Sequence, residues 1–349
     1  MPKIIVVGIF GEDKTVSDGQ INKVRDYYRY ISNRFGCESV KRVDIGSYKS
    51  RPFRTLIYFL SSFKWCDKTV LLFTGDGNGI KYMFPFITAI HRAFRRKLFF
   101  SVVGGGMLND LDSKIRLIER LKKTEAVYVE TKRMKSALEE RGLTNVYYAP
   151  VFSKRPGIEI EDVQDNYQEP LRLCTYARVI KEKGISDAID AVIKVNKTLG
   201  RTACILDIYG SPVGKYADEF NAKLQSAGEL VKCNPLLDDS NAIKELSNHY
   251  LLLFPTYYEG EGFPIALVES LKAGLPVIAT DWHFNSEIID DGRTGRIYSR
   301  GGDVGLSDII IELINNKELV SKMRIECIKE SKKYNPDSIL SDLYYRLEN

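Results

Sequence analysis

The sequence predicts an α/β protein of two doubly wound parallel-sheet domains, and three observations carry that expectation. Short apolar runs alternate with amphipathic stretches of helical period in both halves of the chain, which is the signature of strand–helix units. Several of the runs, such as KIIVVGIF at 3–10 and HYLLLFPT at 249–256, are almost continuously apolar, as strands covered on both faces must be. The 349 residues suit two domains of ~100–200 residues each.

The elements follow in order. In the first half, strands are expected at 3–10, 69–75 (TVLLFTG), 97–105 (KLFFSVVGG) and 126–131 (AVYVET), with helices over 20–34, 82–96 and 110–123. In the second half, strands are expected at 172–177 (RLCTYA), 204–210 (CILDIYG), 249–256 and 276–280 (PVIAT). Its helices are expected over 184–199, 215–227, 264–273, 304–315 and 317–333. The polar, two-proline stretch SKRPGIEIEDVQDNYQEP at 153–170 shows no sustained period and reads as the linker. The expected domains are therefore 1–158 and 168–334, with a C-terminal helix at 335–349 packing back on the first. Ligands of such domains sit at the carboxyl ends of the strands, so two facing domains imply a cleft.

Composition narrows the function classes. No run of ~18 or more uncharged apolar residues exists, so no membrane span is expected. The opening MPKIIVVGIFGEDK turns charged after a short apolar run and reads as a first strand rather than a secretory signal. The six cysteines, Cys37, Cys66, Cys174, Cys204, Cys233 and Cys327, are scattered without a C-x-x-C pair, which fits free thiols in a reducing cytoplasm. The three histidines, His91, His249 and His283, are too dispersed for a zinc site. Residues 1–150 carry 27 Lys and Arg against 15 Asp and Glu, a net of +12, and the remainder carries −7. That asymmetry points to an anionic partner of the first half.

The densest chemistry lies in LLLFPTYYEGEGFPIALVESLKAGLPVIATDWHFNSEIIDDGRTGRIY at 251–298. A buried strand ends near Pro255, a loop with Glu259, Gly260, Glu261 and Gly262 follows, and a helix opens near Pro264. Proline suits a first helical turn, and the helix start offers N–H groups and a positive dipole end to phosphate. Glu261 and Glu269 are acceptor-only carboxylates suited to the hydroxyl pairs of ribose or a pyranose. Earlier in the half, YARVIKEKG at 176–184 sets Arg178 and Lys183 after a strand, where two cations would offset charge on a diphosphate.

The run EGFPIALVE followed by SLKAGLPVIAT resembles the E-x7-E signature of the retaining GT-B glycosyltransferases of family four. The resemblance implies two Rossmann-like domains, Glu269 on the donor ribose and Glu261 on the transferred sugar. It implies backbone amides of Gly262, Phe263, Pro264 and Ile265 on sugar hydroxyls and phosphate, although Pro264 replaces the usual glycine and lacks an N–H. Glu287, Gly292 and Gly295 in NSEIIDDGRTG match the family as well. YARVIKEKG resembles the family's G-R-x-x-x-x-K-G, with Ala177 for the glycine, which implies Arg178 and Lys183 on the donor diphosphate; Gly210 is a further donor-side residue. TVSDGQINKV at 15–24 resembles the family's first loop and implies Gly19 beside the donor phosphate and Gln20 toward the acceptor. Many relatives place a histidine near the end of the strand at 97–105; here Gly104, Gly105 and Gly106 stand on that acceptor side.

Taken together, the resemblance implies a metal-independent, retaining transfer of a sugar from a nucleotide diphosphate sugar to a hydroxyl of a glycan or lipid-linked acceptor, without a cofactor. The sequence resembles a branch of bacterial enzymes that assemble capsular or extracellular polysaccharide. A nucleotide-sugar 2-epimerase and a non-catalytic paralogue that binds a nucleotide sugar or a partner chain stay open beside it. The stretches 48–65 and 82–97 mix aromatics with Lys and Arg, as interfacial helices do. A buried helix with one cationic face is the other reading of them. The expected location is the cytoplasm, at the inner face of the membrane if those helices are interfacial. Nucleic acid is not an expected partner, since no binding motif accompanies the basic residues.

Overall fold

The structure, a computed structural model, describes residues 1–11, 19–46, 52–74, 79–109, 111–164, 167–238 and 240–349. The chain divides into two compact units, Met1–Val151 with Pro336–Asn349, and Phe152–Asn335. Residues 15–18 of the first-loop motif, 48–51 of the first aromatic–basic stretch, Gly75 and Asp110 lie outside the described residues.

The first unit holds β1 (Ile4–Gly8), α1 (Gly19–Phe35), β2 (Val40–Asp44), α2 (Pro52–Trp65), β3 (Lys68–Thr74), α3 (Phe84–Phe94), β4 (Lys97–Val103), α4 (Ile115–Leu121), β5 (Ala126–Val129), α5 (Lys132–Glu139) and β6 (Val146–Tyr148). All six strands are parallel in the order β2-β1-β3-β4-β5-β6. β1 is buried along its whole length, as its unbroken IIVVG demands. β4 ends at Val103, two residues before the strand expected from the sequence, because Gly104 takes φ +78° and leaves extended backbone. The helix expected over 110–123 is a 3-10 turn at Leu111–Lys114 followed by α4.

The second unit holds β7 (Leu171–Tyr176), α6 (Ile185–Leu199), β8 (Cys204–Tyr209), α7 (Tyr216–Ala227), β9 (Val231–Asn234), α8 (Ala242–Ser247), β10 (Leu251–Phe254), α9 (Ile265–Lys272), β11 (Val277–Thr280), α10 (Asn285–Ile288), β12 (Gly295–Tyr298), α11 (Leu306–Asn315) and α12 (Lys317–Ser331). Its six parallel strands run β12-β11-β10-β7-β8-β9. Strand order reverses between β7 and β10, the place where a doubly wound sheet opens a crevice at its carboxyl edge. Two six-stranded parallel sheets with helices between their strands are the expected fold class.

The boundary after the first sheet differs from the sequence expectation. Residues 152–158 belong to the second unit rather than the first. The reason is a set of bonds to α9: Lys272 Nζ donates to the carbonyls of Ser153 and Arg155 at 2.7 and 2.8 Å, and Ile158 N donates to the Lys272 carbonyl at 3.0 Å. The final helix, α13 (Pro336–Glu348), belongs to the first unit. Lys68 Nζ donates to the Leu347 carbonyl at 2.5 Å, Lys97 Nζ to the Asn349 carbonyl at 3.0 Å, and the Tyr128 hydroxyl to Asp342 at 2.8 Å. The lysines sit where a helix C-terminus carries orphan carbonyls and partial negative charge.

A buried polar network braces the second sheet. Asp207 on β8 accepts from Arg172 Nε at 3.0 Å and Asn234 Nδ2 at 3.1 Å, and lies 3.3 Å from His249 Nε2. Burial alone would raise the Asp207 pKa, but the bonds from His249, Arg172 and Asn234 win and hold it down at about 2, against 3.8 unfolded. A depressed carboxylate stabilises the fold above its unfolded pKa and stops doing so as pH falls through the folded one. We expect about 2 kcal/mol of the second unit's stability to disappear between pH 4 and 2. Asp207→Asn should lose that part of the acid dependence, as read from urea midpoints across pH.

Candidate functional site

The site is built at the β7/β10 reversal. β10, LLLF, is buried throughout, and the chain leaves it as Pro255–Thr256–Tyr257–Tyr258 before entering α9. β7 ends at Tyr176 and continues through Arg178 into a single 3-10 turn, Lys181–Lys183, and then α6. The two exits press together. Tyr257 N donates to the Glu182 carbonyl at 2.7 Å, and a Cβ at Gly184 would stand 2.2 Å from the Pro255 carbonyl oxygen. Gly184 also takes φ +68°, so a glycine there is required twice over.

This approach delivers Lys183 to Glu261. The ammonium is ion-paired to Glu261 Oε2, both side chains being 9% exposed. Glu261 Oε2 also accepts from the Thr256 hydroxyl at 3.0 Å, and Glu261 N donates to the Tyr258 carbonyl at 3.0 Å. That carbonyl takes a second bond from Trp282 Nε1 at 2.9 Å. The Tyr258 ring collects the cations, with Lys183 Nζ 5.4 Å and the Arg178 guanidinium 5.7 Å from its centre, inside cation–π range. Arg178 itself is exposed. On the β8 side, a Cβ at Gly210 would stand 2.1 Å from the Ala177 carbonyl oxygen, so this glycine lets the β7 exit lie flat on its neighbour.

Glu269, in the second turn of α9, is held by a different set. Its Oε1 accepts from Ser153 Oγ at 2.8 Å, and its Oε2 takes the guanidinium of Arg155, whose Nη1 also donates to the Tyr176 hydroxyl at 2.9 Å. Glu269 is 3% exposed. Burial raises its pKa, opposed by Arg155, Ser153 and Tyr176. Lys272, one turn on, is pushed down by burial while it pins the Ser153–Arg155 segment. The two glutamates thus keep separate partners, Lys183 for Glu261 and Arg155 for Glu269. Between them Gly262 is partly exposed, Phe263 is buried with its ring 5.9 Å from Tyr334, Pro264 caps α9, and Ile265 opens it with its side chain exposed.

In the first unit, Gly19 and Gln20 open α1. Gly104 N donates to Glu130 Oε2 at 3.0 Å, and Gly105 and Gly106 begin a 3-10 turn. Beneath them Lys23 Nζ donates to Glu130 Oε1 and to the Val102 carbonyl, both at 2.7 Å, with Lys23 and Glu130 buried. A buried ion pair thus braces the glycine turn.

Sequence reasoning overlooked five contributors: Ser153, Arg155, Thr256, Tyr258 and Glu130. Ser153 and Arg155 sit in the stretch read as linker. A signal was available for Thr256 and Tyr258, since both lie between β10 and Glu261. Nothing in the sequence pairs Glu130 with Lys23.

The Lys183–Glu261 pair makes a stability prediction. Removing one member of a buried pair strands the other charge, at about 3 kcal/mol or more. Lys183→Met should destabilise the second unit by that order, and adding Glu261→Gln should restore most of it, the non-additivity being read from a denaturation double-mutant cycle.

Comparison with known proteins agrees with this architecture. The chain is 29% identical over 189 residues to the GtfA subunit of the UDP-N-acetylglucosamine–peptide N-acetylglucosaminyltransferase of Streptococcus pneumoniae, spanning 52% of this chain and 35% of that one. It is 27% identical over 173 residues to the amylovoran biosynthesis glycosyltransferase AmsK of Erwinia amylovora, spanning 46% and 40%. The chain therefore covers well under half the length of these curated relatives. Among solved structures, Anabaena HepE in complex with UDP and glucose superposes with a TM-score of 0.69 over all of both chains at 13% identity, a likeness that shows the GT-B fold alone. Residues 158–334 match the family described as Glycosyl transferases group 1, half of the sequence and nearly all of the second unit, and the chain belongs to that family.

Proposed function

We propose that the second unit binds a nucleotide diphosphate sugar and that the protein transfers the sugar, with retention and without a metal ion or cofactor, to a hydroxyl of a glycan or lipid-linked acceptor. The observation that carries this reading is the convergence of Lys183, Glu261 and Arg178 at the β7/β10 reversal, with Glu269 in the second turn of α9. Related structures support it, since GtfA of the pneumococcus was solved with UDP and GlcNAc and HepE with UDP-glucose. AmsK is named for amylovoran biosynthesis, which fits a transferase acting in glycan assembly.

In this reading Arg178 and Lys183 hold the diphosphate and offset the charge that grows on it as the glycosidic bond breaks. Glu261 accepts a sugar hydroxyl, and its bond to Thr256 keeps one oxygen directed while the other is available. Glu269 accepts ribose hydroxyls, and amides near the start of α9 (Gly262, Phe263 and Ile265, with Pro264 lacking an N–H) meet phosphate and sugar. Gly210 leaves room beside the diphosphate. By the family resemblance, we assign Gly19 to the donor phosphate and Gln20, Gly104, Gly105 and Gly106 to the acceptor. The acceptor hydroxyl attacks the anomeric carbon on the face the diphosphate leaves, and its proton passes to the departing phosphate oxygen, so no side-chain base is needed. Arg155 is a positioning residue: its guanidinium opposes the rise in pKa that burial imposes on Glu269 and orients the carboxylate.

A thermal-shift screen against nucleoside diphosphates and nucleotide sugars tests the donor site, because a ligand of the folded state raises the melting temperature. At least one should shift it, and Glu269→Ala should abolish most of that shift; no shift from any of them would refute the reading. Turnover with an acceptor panel then separates a transferase from a binding subunit, and 2-epimerisation of the donor alone would show an epimerase. Arg155→Met has a pH signature. Without the guanidinium the Glu269 pKa rises further, so nucleotide affinity of the variant should climb with pH as Glu269 ionises, while the parent stays flatter over the same range.

A further inference from the structure

The first unit carries a surface that the donor chemistry does not use. α2 and α3 lie side by side through ring contacts, Phe59 to Phe86 at 6.3 Å and Phe63 to His91 at 4.8 Å between centres. Their inward faces are ordinary, with Phe59, Phe63, Phe84, Ile87 and His91 buried. Their outward faces are not. Ile57 is 69% exposed, Phe94 55%, and Tyr58, Phe86 and Leu60 between 39% and 49%. On α2 the exposed stripe 57, 60, 61 and 64 reads Ile, Leu, Ser, Lys at helical spacing, where a helix facing water would carry mostly charge.

The charge that is present has one sign. From Pro52 to Cys66 and from Gly79 to Lys97 the sequence contains no Asp or Glu. Lys64, Arg92 and Arg95 are exposed and form no ion pair among the described residues. Arg96, by contrast, is engaged by Asp67 at 3.2 Å. Arg95 holds φ +51° at the C-cap of α3, a left-handed position that glycine occupies without strain. An arginine is thus kept at the helix end beside Phe94.

We propose that this α2/α3 face seats the protein on an anionic lipid surface, the apolar side chains entering the headgroup boundary and Lys64, Arg92 and Arg95 meeting lipid phosphates. Exposed apolar groups interleaved with cations that form no ion pair among the described residues match such a surface in both hydropathy and sign. A protein partner would have to bring a complementary acidic and apolar patch, and a second copy of this chain presents the same cations to itself. The proposal does not depend on the donor reading, because its residues all lie in the first unit.

Co-sedimentation of the full chain with vesicles tests it. Binding is expected to vesicles of phosphatidylcholine and phosphatidylglycerol in equal parts, and to fall steeply when phosphatidylcholine is used alone or salt is raised. Arg92→Gln and Arg95→Gln should each weaken partition by about fivefold, and Phe94→Ser by about tenfold. The melting temperature of each variant should stay close to that of the parent, which shows that the variants are folded. The proposal is overturned by equal binding to both vesicle types, by no binding to either, or by variants that bind like the parent. It is overturned equally by light scattering that finds a dimer which Phe94→Ser dissociates, since a second copy would then own the face.

Discussion

Everything at the proposed donor site depends on one close approach, that of Gly184 to the Pro255 carbonyl. β7 and β10 are neighbours in the sheet although β8, β9 and the helices between them separate the two strands in sequence. Their loops leave the same edge, and only a residue without a Cβ lets them touch. Once they touch, Lys183 and Glu261 are committed to each other in a place with little solvent. The pair pays back part of its desolvation through the Thr256 hydroxyl and the Tyr258 ring. A ligand with a diphosphate would enter a site whose positive charge is already oriented.

Glu269 is governed by a second constraint, the stapling of residues 153–158 to α9. A carboxylate this buried would drift toward its neutral form. Arg155 and Ser153 come from the segment that joins the units, so the ionisation of a helix residue is set by the path of a connection. The same segment is held at its carbonyls by Lys272, whose own burial disfavours charge. Neither Ser153 nor Arg155 is near Glu269 in sequence.

The strands that could be read from the sequence were the interior ones. β1, β3, β4, β5, β7, β8, β10 and β11 carry near-continuous apolar runs because helices cover both of their faces. The four that were not read, β2 (VKRVD), β6 (VYY), β9 (VKCN) and β12 (GRIY), are the four edges of the two sheets. Each has a mixed burial pattern and at most five residues, so neither period nor length distinguishes it from a loop. The site divides the same way. Arg178, Lys183, Glu261 and Glu269 were legible because they lie in contiguous motifs after strong strands. Arg155, Ser153 and Glu130 were not, because their roles come from contacts between segments that the sequence leaves far apart, 107 residues between Lys23 and Glu130 and 114 between Arg155 and Glu269.

The return of α13 to the first unit has a consequence for synthesis. Lys68 meets the Leu347 carbonyl across 279 residues of chain, and the second unit is spelled out entirely between them. The first unit therefore emerges first and finishes last: its sheet can form early, but Lys68, Lys97 and Tyr128 wait for partners while 184 residues, Phe152–Asn335, are translated and begin to fold. Contacts of such long range close slowly and leave apolar surface uncovered in the interval. The surface that α13 later covers stays open for the whole of that interval.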